Sequence, residues 1–308
     1  MQISASTHCL ISTFIEMPNL KEVRNRIVSV GSTMQITSAM KMVSAAKLKR
    51  AQDAITQMRP YANKLQEILQ NVSASLDTSE NAYARDTNGK NILLIVISSN
   101  RGLAGGFNAN AIKKAWTLIK NDYAGNNVSV ISIGKKANDA FKRTDHSIHG
   151  TDLPHGLNEV FDNLKYDTVA PIAEKIMEAF VTKQFDKVVL VYNQFKNAAV
   201  QIVQAEQFLP VVATKNQEGG SATDYIFEPN KEFILEDLIP RSLKTQFYKA
   251  LLDSFASEHG ARMTAMHKAT DNAKDMLRDL KISYNKARQT AITTEILEIV
   301  AGAEALNG

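Results

Sequence analysis

Two long stretches of heptad-spaced apolar residues, one near each end of the chain, constrain this sequence more than any other feature. The first runs from Leu20 to Leu76, and the second runs from Pro240 to about Leu306. At about 1.5 Å per residue, they correspond to helices of roughly 85 and 100 Å. Helices of this length need a partner to cover their apolar stripe. Because they lie at opposite ends of the chain, we predict that they pack together as an antiparallel coiled coil.

The apolar spacing also predicts where the seam between the helices is irregular. In the first helix the three- and four-residue steps slip near residues 34–36 and again near residues 43–48. Between the slips lies a short apolar run: Ile36, Met40 and Val43. Pro60 should kink this helix without ending it. The predicted seam of the second helix begins with small residues: Ala261, Ala265, Ala269, Ala273, Leu277, Leu280, Tyr284, Ala287, Ala291 and Thr294.

The second helix is predicted to be the longer one, so that its last two turns overhang the first helix. This overhang is largely apolar: Ile296, Leu297, Ile299, Val300, Ala301, Ala303 and Leu306. An apolar helix end without an intrachain partner needs an external sleeve or a second copy of itself. The overhang therefore predicts contact with another protein.

Between the two helices the pattern changes to that of an α/β domain. Continuous apolar runs indicate buried parallel strands: residues 91–97, 128–133 and 187–192. The helical segments of this region are also clear: residues 108–122, 134–143 and 166–183. Residues 198–208 indicate an added strand or hairpin, and residues 77–90 and 214–225 are predicted loops. The alternation of strands and helices favours a small Rossmann-like sheet.

The prediction is therefore an α/β fold with a central Rossmann-like domain and a long antiparallel coiled coil of the N- and C-terminal helices. We divide the chain into a tail, a shaft helix, a central domain and a second shaft helix: residues 1–16, 17–76, 77–239 and 240–308. The tail lacks the charged start and apolar core of a signal peptide, and it lacks the Arg residues of a transit peptide. We interpret it as disordered or mis-annotated, with Met17 as the natural start.

The positive charge of the chain is concentrated in the two terminal segments. Residues 18–76 contain nine Lys and Arg against three Asp and Glu, and residues 240–306 contain ten against eight. The middle, residues 77–239, contains seventeen against twenty. A basic rod favours an anionic partner around it. A nucleic acid is one such partner, but stacking aromatics are nearly absent from these helices.

The most enzyme-like feature is the glycine-rich turn SSNRGLAGGFN at residues 98–108, which follows a strand and opens a helix. Phosphate groups are often bound at such a position. The turn lacks the GxGxxG pattern and the Lys-Ser/Thr ending of a Walker loop. The simpler interpretation is that Gly102, Gly105 and Gly106 allow a tight turn and close helix packing. Both interpretations stay open at this point.

Catalytic and metal-binding motifs have little support. The sequence contains no HExxH, CxxC or GxSxG motif. His146, His149 and His155 cluster in a predicted loop, where solvated side chains are the simpler interpretation than a metal site. We therefore predict no cofactor, no metal and no catalytic residue in this chain.

Three long motifs, in order along the chain, resemble the γ subunit of F-type ATP synthases. The first is MPNLKEVRNRIVSVGSTMQITSAMKMVSAAKLKRAQ at residues 17–52. The second is the turn at residues 98–108, and the third, SEHGARMTAMHKATDNAKDMLRDLKISYNKARQTAITTEILEIVAG, covers residues 257–302. The resemblance covers the whole chain except residues 1–16.

The resemblance implies a rotor rather than an enzyme. In this family the γ subunit turns inside a ring of three α and three β subunits, and its foot binds the ε subunit and the membrane c-ring. Proton flow turns the c-ring, and the rotating shaft drives ATP synthesis or hydrolysis on the β subunits. The implied location is peripheral, on the cytoplasmic face of the bacterial inner membrane, with the matrix face of the mitochondrial inner membrane as the alternative.

The resemblance also assigns roles to individual residues. Met40 and Arg262 match positions that face the acidic lever loop of a β subunit. Arg288, Gln289 and Thr293 match the upper contact that grips one β subunit at a time. The residues of the apolar end match a segment seated in a hydrophobic bearing: Ile296, Leu297, Ile299 and Val300. Periodicity alone favours Met40 as a seam residue, whereas with the resemblance the two roles are balanced, and both can hold.

Two other functions compete with the rotor. A nucleotide-binding enzyme would use the turn at residues 98–108, but this leaves the two long helices unexplained. A nucleic-acid-binding coiled coil would show a steep salt dependence of its affinity for DNA or RNA.

Overall fold

The computed structural model describes residues 20–73, 83, 85, 89–148, 153–211 and 231–307. The predicted tail at 1–16, the predicted loop at 214–225 and most of that at 77–90 lie outside these ranges. Two compact units are present, one made of residues 1–38 and 268–308 and the other of residues 39–267. Among the helices in the described part of the chain, none combines the length and the hydrophobicity of a membrane-spanning segment.

Two long helices contribute to both units. Helix α1 extends from Leu20 to Ser73 and continues through Pro60. Helix α5 extends from Lys231 to Asn307 and contains Pro240 in its interior. The prediction that the second helix begins at Pro240 is therefore wrong.

Packing on both sides of Pro240 explains why α5 continues through it. A proline inside a helix costs about 3 kcal/mol, because it removes one hydrogen bond and crowds the preceding turn. Ile239 and Leu243 flank Pro240, and both are buried in the core of the α/β unit. Burial of two such side chains recovers a comparable free energy.

The seam of α1 is more regular than the sequence predicted. An unbroken series of four- and three-residue steps is occupied by buried or half-buried residues: Val23, Ile27, Val30, Met34, Thr37, Lys41, Ser44, Leu48, Ala51, Ile55 and Met58. Ile36 and Val43, which we placed in the seam, are 60% and 58% exposed. The predicted slips are absent because Thr37 and Ser44 occupy seam positions where an apolar residue was expected.

In the unit formed by residues 1–38 and 268–308, the two helices are antiparallel. Near the start of α1, the Arg24 Nη2 atom donates a hydrogen bond to the Tyr284 Oη atom over 2.9 Å. Further along, the Thr270 Oγ1 atom donates to the Thr37 Oγ1 atom over 2.9 Å. Thr37 in turn donates to the Met34 carbonyl oxygen. Residue numbers thus rise on α1 as they fall on α5, which confirms the predicted direction.

In the unit formed by residues 39–267, α1 and α5 share an apolar cluster that connects them to the α/β domain. Its fully buried members come from both helices: Leu48, Ala51, Ile55, Leu252 and Ala256. Phe195 and Leu164 of the α/β domain pack against it. Here too the helices are antiparallel: Lys41 lies 3.4 Å from His267, measured from Nζ to Nδ1, whereas Leu48 and the residues after it pack against the earlier α5 residues of the cluster.

The α/β domain is built on a four-stranded sheet with the order β2-β1-β3-β4. The strands are β1 at Asn91–Ile97, β2 at Asn127–Ile133, β3 at Lys187–Phe195 and β4 at Gln201–Leu209. Strands β2, β1 and β3 are parallel, and β4 runs antiparallel to β3. The predicted strands, including the added edge strand, are therefore confirmed.

Helices cover both faces of this sheet. Helix α2 at Phe107–Thr117, which ends in a π-helical turn, and helix α3 at Lys135–Phe141 cover one face. Helix α4 at Tyr166–Val181 covers the other face together with part of α5. Successive strand side chains point to opposite faces, so the buried runs of β1 and β3 supply both cores. The predicted Rossmann-like layering is confirmed, with α5 as an element of the core as well as of the coiled coil.

Candidate functional site

The glycine-rich turn connects the end of β1 to the start of α2. Gly105 has a φ of +56°, in the left-handed region that favours glycine. A Cβ atom on Gly105 would lie 4.0 Å from the Ala265 Cβ atom of α5. Gly102 has the Lys136 side chain as its nearest neighbour, and Gly106 precedes the first residue of α2. Gly105 is thus the glycine that combines an unusual backbone conformation with a close approach to a helix.

The polar groups of the turn are used within the chain. The Ser99 amide donates to the Asn108 Oδ1 atom over 2.9 Å, and the Asn108 Nδ2 atom donates to the Ser99 Oγ atom over 2.9 Å. The Ser99 hydroxyl also bonds to the Arg101 carbonyl oxygen over 2.6 Å. Asn193 of β3 donates to the Phe107 carbonyl oxygen over 3.2 Å. These bonds favour the structural interpretation of the turn over a phosphate cradle.

Helix α5 packs directly on this turn. Ala104 and Phe107 are buried, and both pack against Ala261. Small side chains at these contacts allow the helix backbone to approach the turn. The space next to Gly105 is therefore occupied by α5 of the same chain.

A buried ionic cluster lies on α5 beside the turn. The Arg262 Nη1 atom donates to the Glu258 Oε1 atom over 2.6 Å. The Arg262 Nη2 atom donates to the carbonyl oxygens of Arg101 and Gly102, over 3.1 and 3.3 Å. Arg262 is only 6% exposed. The structure thus places Arg262 within the chain rather than at its surface, and the contact with a β subunit that the resemblance implied stays a prediction.

Burial controls the protonation of this cluster. It raises the pKa of the Glu258 carboxyl, although Arg262 and Lys47 oppose the shift. Burial, together with the positive charges of Arg262 and Lys47, lowers the pKa of His259 to about 3. The His259 ring is therefore neutral at pH 7, and its buried Nε2 atom has no hydrogen-bond partner.

A second, partly buried polar group joins α5 to strands β3 and β4. The Tyr192 hydroxyl and the Gln246 Nε2 atom each donate to the Glu206 carboxylate over 2.6 Å. Asp253 lies nearby on α5 and is buried. Burial raises the pKa of Asp253 to about 6, with Lys249 and Arg59 opposing the shift and Glu206 adding to it.

Neither polar group was predicted from the sequence. Both include polar residues of α5, and polar residues on a helix are normally interpreted as facing solvent. One signal was present in the sequence. The stretch ALLDSFASEHGAR at 250–262 mixes small, apolar and charged residues with no solvent-facing stripe. Twelve of its thirteen residues are buried.

The residues that the resemblance assigns to β-subunit contacts are distributed along both helices. Met40 is half-buried, which is consistent with both a seam and a surface role. Arg288, Gln289 and Thr293 are exposed. The Thr293 hydroxyl is used locally and donates to the Gln289 carbonyl oxygen over 2.9 Å.

The apolar end of α5 is exposed along its whole length. The seam on α5 ends at half-buried Ala291, and every described residue from Ile292 to Leu306 is exposed. The four predicted tip residues belong to this set: Ile296, Leu297, Ile299 and Val300. Ile299 is 71% exposed. The exposed segment is longer than the two turns that we predicted.

The histidines of the central region bond to backbone groups. The His146 Nδ1 atom lies 2.9 Å from the Val128 carbonyl oxygen, and the His155 Nδ1 atom lies 3.1 Å from the Leu153 carbonyl oxygen. His149 lies outside the described residues. Within the described part of the chain, no three His, Cys, Asp or Glu side chains converge as metal ligands.

A family model described as ATP synthase matches residues 19–306, which include both long helices and the α/β domain. This chain belongs to the ATP synthase gamma chain family. The gamma chain of Flavobacterium johnsoniae is 61% identical over 296 residues, covering 95% of this chain and 100% of the relative. That of Christiangramia forsetii is 59% identical over 293 residues, with the same coverage. The resemblance carried by the three sequence motifs is confirmed.

Solved structures of ATP synthases share the gamma-chain fold. A chain in the central stalk and c-ring structure of the Tetrahymena thermophila mitochondrial ATP synthase superimposes with a TM-score of 0.55 at 27% identity. The match covers 76% of this chain and 99% of that one. A chain of the Euglena gracilis mitochondrial ATP synthase gives a TM-score of 0.65 at 21% identity, covering 93% and 94%. As a family member, this chain is a gamma-type subunit of an ATP synthase, a complex whose peripheral F1 sector hydrolyses ATP.

Proposed function

We propose that this chain is the rotating central shaft of a proton-translocating ATP synthase. It turns inside a ring of three α and three β subunits, with the ε subunit and the c-ring at its foot. Proton flow through the c-ring thereby drives ATP synthesis on the β subunits, and ATP hydrolysis drives the reverse rotation. One observation on this chain itself supports the proposal, in addition to its membership of the family. Helix α5 continues past the seam as an exposed apolar segment, from Ile292 to Leu306, which requires a surrounding protein.

The physics of energy transfer requires a stiff connector of this kind. One elementary charge that crosses about 100 mV releases roughly 2.3 kcal/mol. Several such steps must act together to change the affinity of a catalytic site, since conformational coupling depends on contacts that differ between states. Two continuous helices of 54 and 77 residues, packed antiparallel, provide a connector whose contacts change with its angle of rotation.

We assign the catalytic chemistry to the β subunits and none to this chain. The internal use of the turn around Ser99 and Asn108, and the packing of α5 next to Gly105, support this assignment. We also place the chain on the cytoplasmic face of the inner membrane of a bacterium. The bacterial origin of the two gamma chains described above supports this location over the mitochondrial matrix.

The shaft contacts fall into two groups. Met40, Arg288, Gln289 and Thr293 meet the β subunits as the shaft turns. The exposed apolar residues seat the end of α5 in the hydrophobic bearing of the ring: Ile296, Leu297, Ile299 and Val300. A charged contact that forms and breaks with rotation supplies the difference between states that coupling needs.

Reversal of the charge at Arg288 tests the first group. In membrane vesicles that contain the complete complex, Arg288→Glu should lower ATP-driven proton pumping and ATP synthesis several-fold. Assembly, measured by co-purification with the α, β and ε subunits, should stay at the wild-type level. Lys281→Glu is the matched control, since it reverses an exposed charge on the same helix. ATP synthesis at the wild-type rate in Arg288→Glu would remove this residue from the set of contacts.

Met40→Lys provides the second test, with Met42→Lys as its control. Both methionines lie on α1, but Met42 is exposed and is not assigned a contact. We expect Met40→Lys to uncouple ATP hydrolysis from proton pumping, and Met42→Lys to leave the ratio of pumping to hydrolysis near wild type. Equal coupling ratios in the two variants would argue that Met40 is only a seam residue.

A further inference from the structure

Arg262 bonds α5 to the turn that follows β1, in addition to the bond that the Ser257 hydroxyl of α5 donates to a carbonyl oxygen of β3. Its guanidinium donates on one side to Glu258, one turn earlier on the same helix. On the other side it donates to the carbonyl oxygens of Arg101 and Gly102. These two carbonyl groups lie in the turn that directly follows β1, and β1 is hydrogen-bonded to both β2 and β3. One side chain therefore connects a long helix to an internal strand of the sheet.

Burial makes this connection selective for arginine. A buried charge is costly unless it is both paired and hydrogen-bonded. The planar fork of a guanidinium can donate to a carboxylate and to backbone carbonyls at the same time, whereas a lysine ammonium cannot reproduce this geometry. Glu258 supplies the opposite charge and is itself buried. Loss of either partner leaves the other as an unpaired buried group.

The other contacts between α5 and this turn are apolar or small. Ala104, Phe107 and Ala261 form a small cluster, and Gly105 approaches Ala265. Contacts between small apolar surfaces resist separation more than they resist sliding, because dispersion forces have little directionality. Hydrogen bonds from Arg262 depend on angle as well as distance, so they resist sliding of the helix across the turn.

We propose that Arg262 is a positioning residue that locks α5 to the turn after β1, so that twist on the shaft is transmitted to the α/β domain without slippage. The proposal rests on the rotor function stated above. It assigns Arg262 a role inside the chain, which differs from the β-subunit contact expected from the resemblance. Removal of the Arg262 bonds should therefore lower the coupling ratio, which is the ratio of proton pumping to ATP hydrolysis. A covalent bond between α5 and the turn should restore this ratio.

The close approach of Gly105 and Ala265 allows such a bond to be introduced. A Cβ atom on Gly105 would lie 4.0 Å from the Ala265 Cβ atom, which is within the usual range of about 3.5–4.5 Å for a disulfide. The chain has a single cysteine, Cys9, which is replaced by serine in all variants. The test combines Gly105→Cys and Ala265→Cys with Arg262→Gln in the complete complex.

The measurement is the ratio of proton pumping to ATP hydrolysis in membrane vesicles, under oxidising and then reducing conditions. We expect Arg262→Gln alone to lower this ratio several-fold in both conditions. In the triple variant, oxidation should restore the ratio to near wild type, and reduction should abolish the gain. The cysteine pair with Arg262 intact is the control for the disulfide itself, and the Cys9→Ser chain is the control for oxidation of the other subunits.

Three results would overturn the lock. A formed disulfide that fails to restore coupling would show that Arg262 acts elsewhere, for example on a β subunit. A wild-type ratio in Arg262→Gln would show that the lock is not needed. Failure of the cysteine pair to cross-link, in a variant whose free energy of unfolding under reducing conditions is close to wild type, would contradict the approach of α5 to the turn. If Arg262→Gln does not assemble, Arg262→Lys serves as the second variant, because it keeps the charge and loses the fork. Failure of the wild-type chain to support pumping would instead reject the rotor function.

Discussion

Two segments of α5 have opposite relations between hydrophobicity and burial. Residues 250–262 include two carboxylates, a histidine and an arginine, yet all but Phe255 are buried. Residues 292–306 are rich in isoleucine, leucine, valine and alanine, yet all are exposed. In a helix that is complete by itself, the apolar segment would be inside and the charged segment outside. The inversion indicates that the first segment is fixed by its own chain and the second is made to be covered by another protein.

This difference separates stability from function along one helix. Substitutions in the segment at 250–262 should change the free energy of unfolding of the isolated chain. Substitutions in the segment at 292–306 should leave it unchanged and act only in the assembled complex.

The largest effect is expected from Glu258→Ala. This change leaves the buried Arg262 guanidinium without its counter-charge, which typically costs about 3–5 kcal/mol. Urea unfolding of the purified chain should show a loss of this size. Glu298→Ala, at an exposed position of the same helix, should change the free energy by less than about 0.5 kcal/mol. Similar losses in the two variants would remove the contrast between the segments.

The next largest effect is expected from Leu251→Ala, which leaves a cavity in the core between α5 and the sheet. The free energy of unfolding should fall by about 2–5 kcal/mol. Leu297→Ala is its matched control, since the same side chain is shortened at an exposed position. The two midpoints in a urea titration give the comparison directly. A loss above about 1 kcal/mol in Leu297→Ala would mean that the end of α5 is covered by its own chain.

A smaller and pH-dependent effect is expected at Asp253. Its pKa in the folded chain is raised to about 6, so the folded state binds the proton more tightly than the unfolded state. The group therefore contributes its full stability at low pH, and this contribution is lost as the pH rises through about 6. At pH 8 the buried carboxylate should cost up to about 3 kcal/mol.

Asp253→Asn removes this cost. The variant should be more stable than wild type at pH 8, and the difference should fall to about half at pH 5. Urea unfolding at both pH values provides the measurement. A difference that is equal at pH 5 and pH 8 would show that Asp253 does not titrate in this range.

The smallest effect on stability is expected at the exposed end. Ile296→Ser combined with Ile299→Ser should change the unfolding free energy of the isolated chain by less than about 1 kcal/mol, because both side chains are exposed. The same double variant should lower ATP synthesis in the complete complex. A stability loss with normal ATP synthesis would reverse the assignment of this segment.

Periodicity predicted much of the fold because the long helices and the parallel strands have strong patterns. The seam positions Ala273, Leu277 and Leu280 are half-buried or buried as expected, and β1 spans the predicted residues. The slips predicted in α1 were wrong because only apolar residues were counted. Thr37 fills a seam position through hydrogen bonds with Thr270 and Met34, which a hydrophobic pattern does not detect.

The buried polar groups could not be predicted for a different reason. Arg262, Glu258 and Asp253 look like the solvated face of a helix when only α5 is considered. Their burial depends on the turn after β1, which accepts hydrogen bonds from Arg262, and on β4, whose Glu206 interacts with Asp253. Both elements are distant in sequence from this part of α5. The pattern of one helix carries no information about such partners. The resemblance supplied the exposed contact residues, but it gave no sign that Arg262 is buried within its own chain.

Direct observation of rotation tests the central claim. The complete complex is immobilised through its β subunits, and a bead is attached at Asp122→Cys, an exposed site on the α/β domain, in the Cys9→Ser background. On addition of ATP, the bead should turn stepwise in one direction, and it should stop when ATP is exhausted. Hydrolysis of ATP at the normal rate, with the bead fluctuating about a fixed angle, would contradict the assignment of this chain as the rotor.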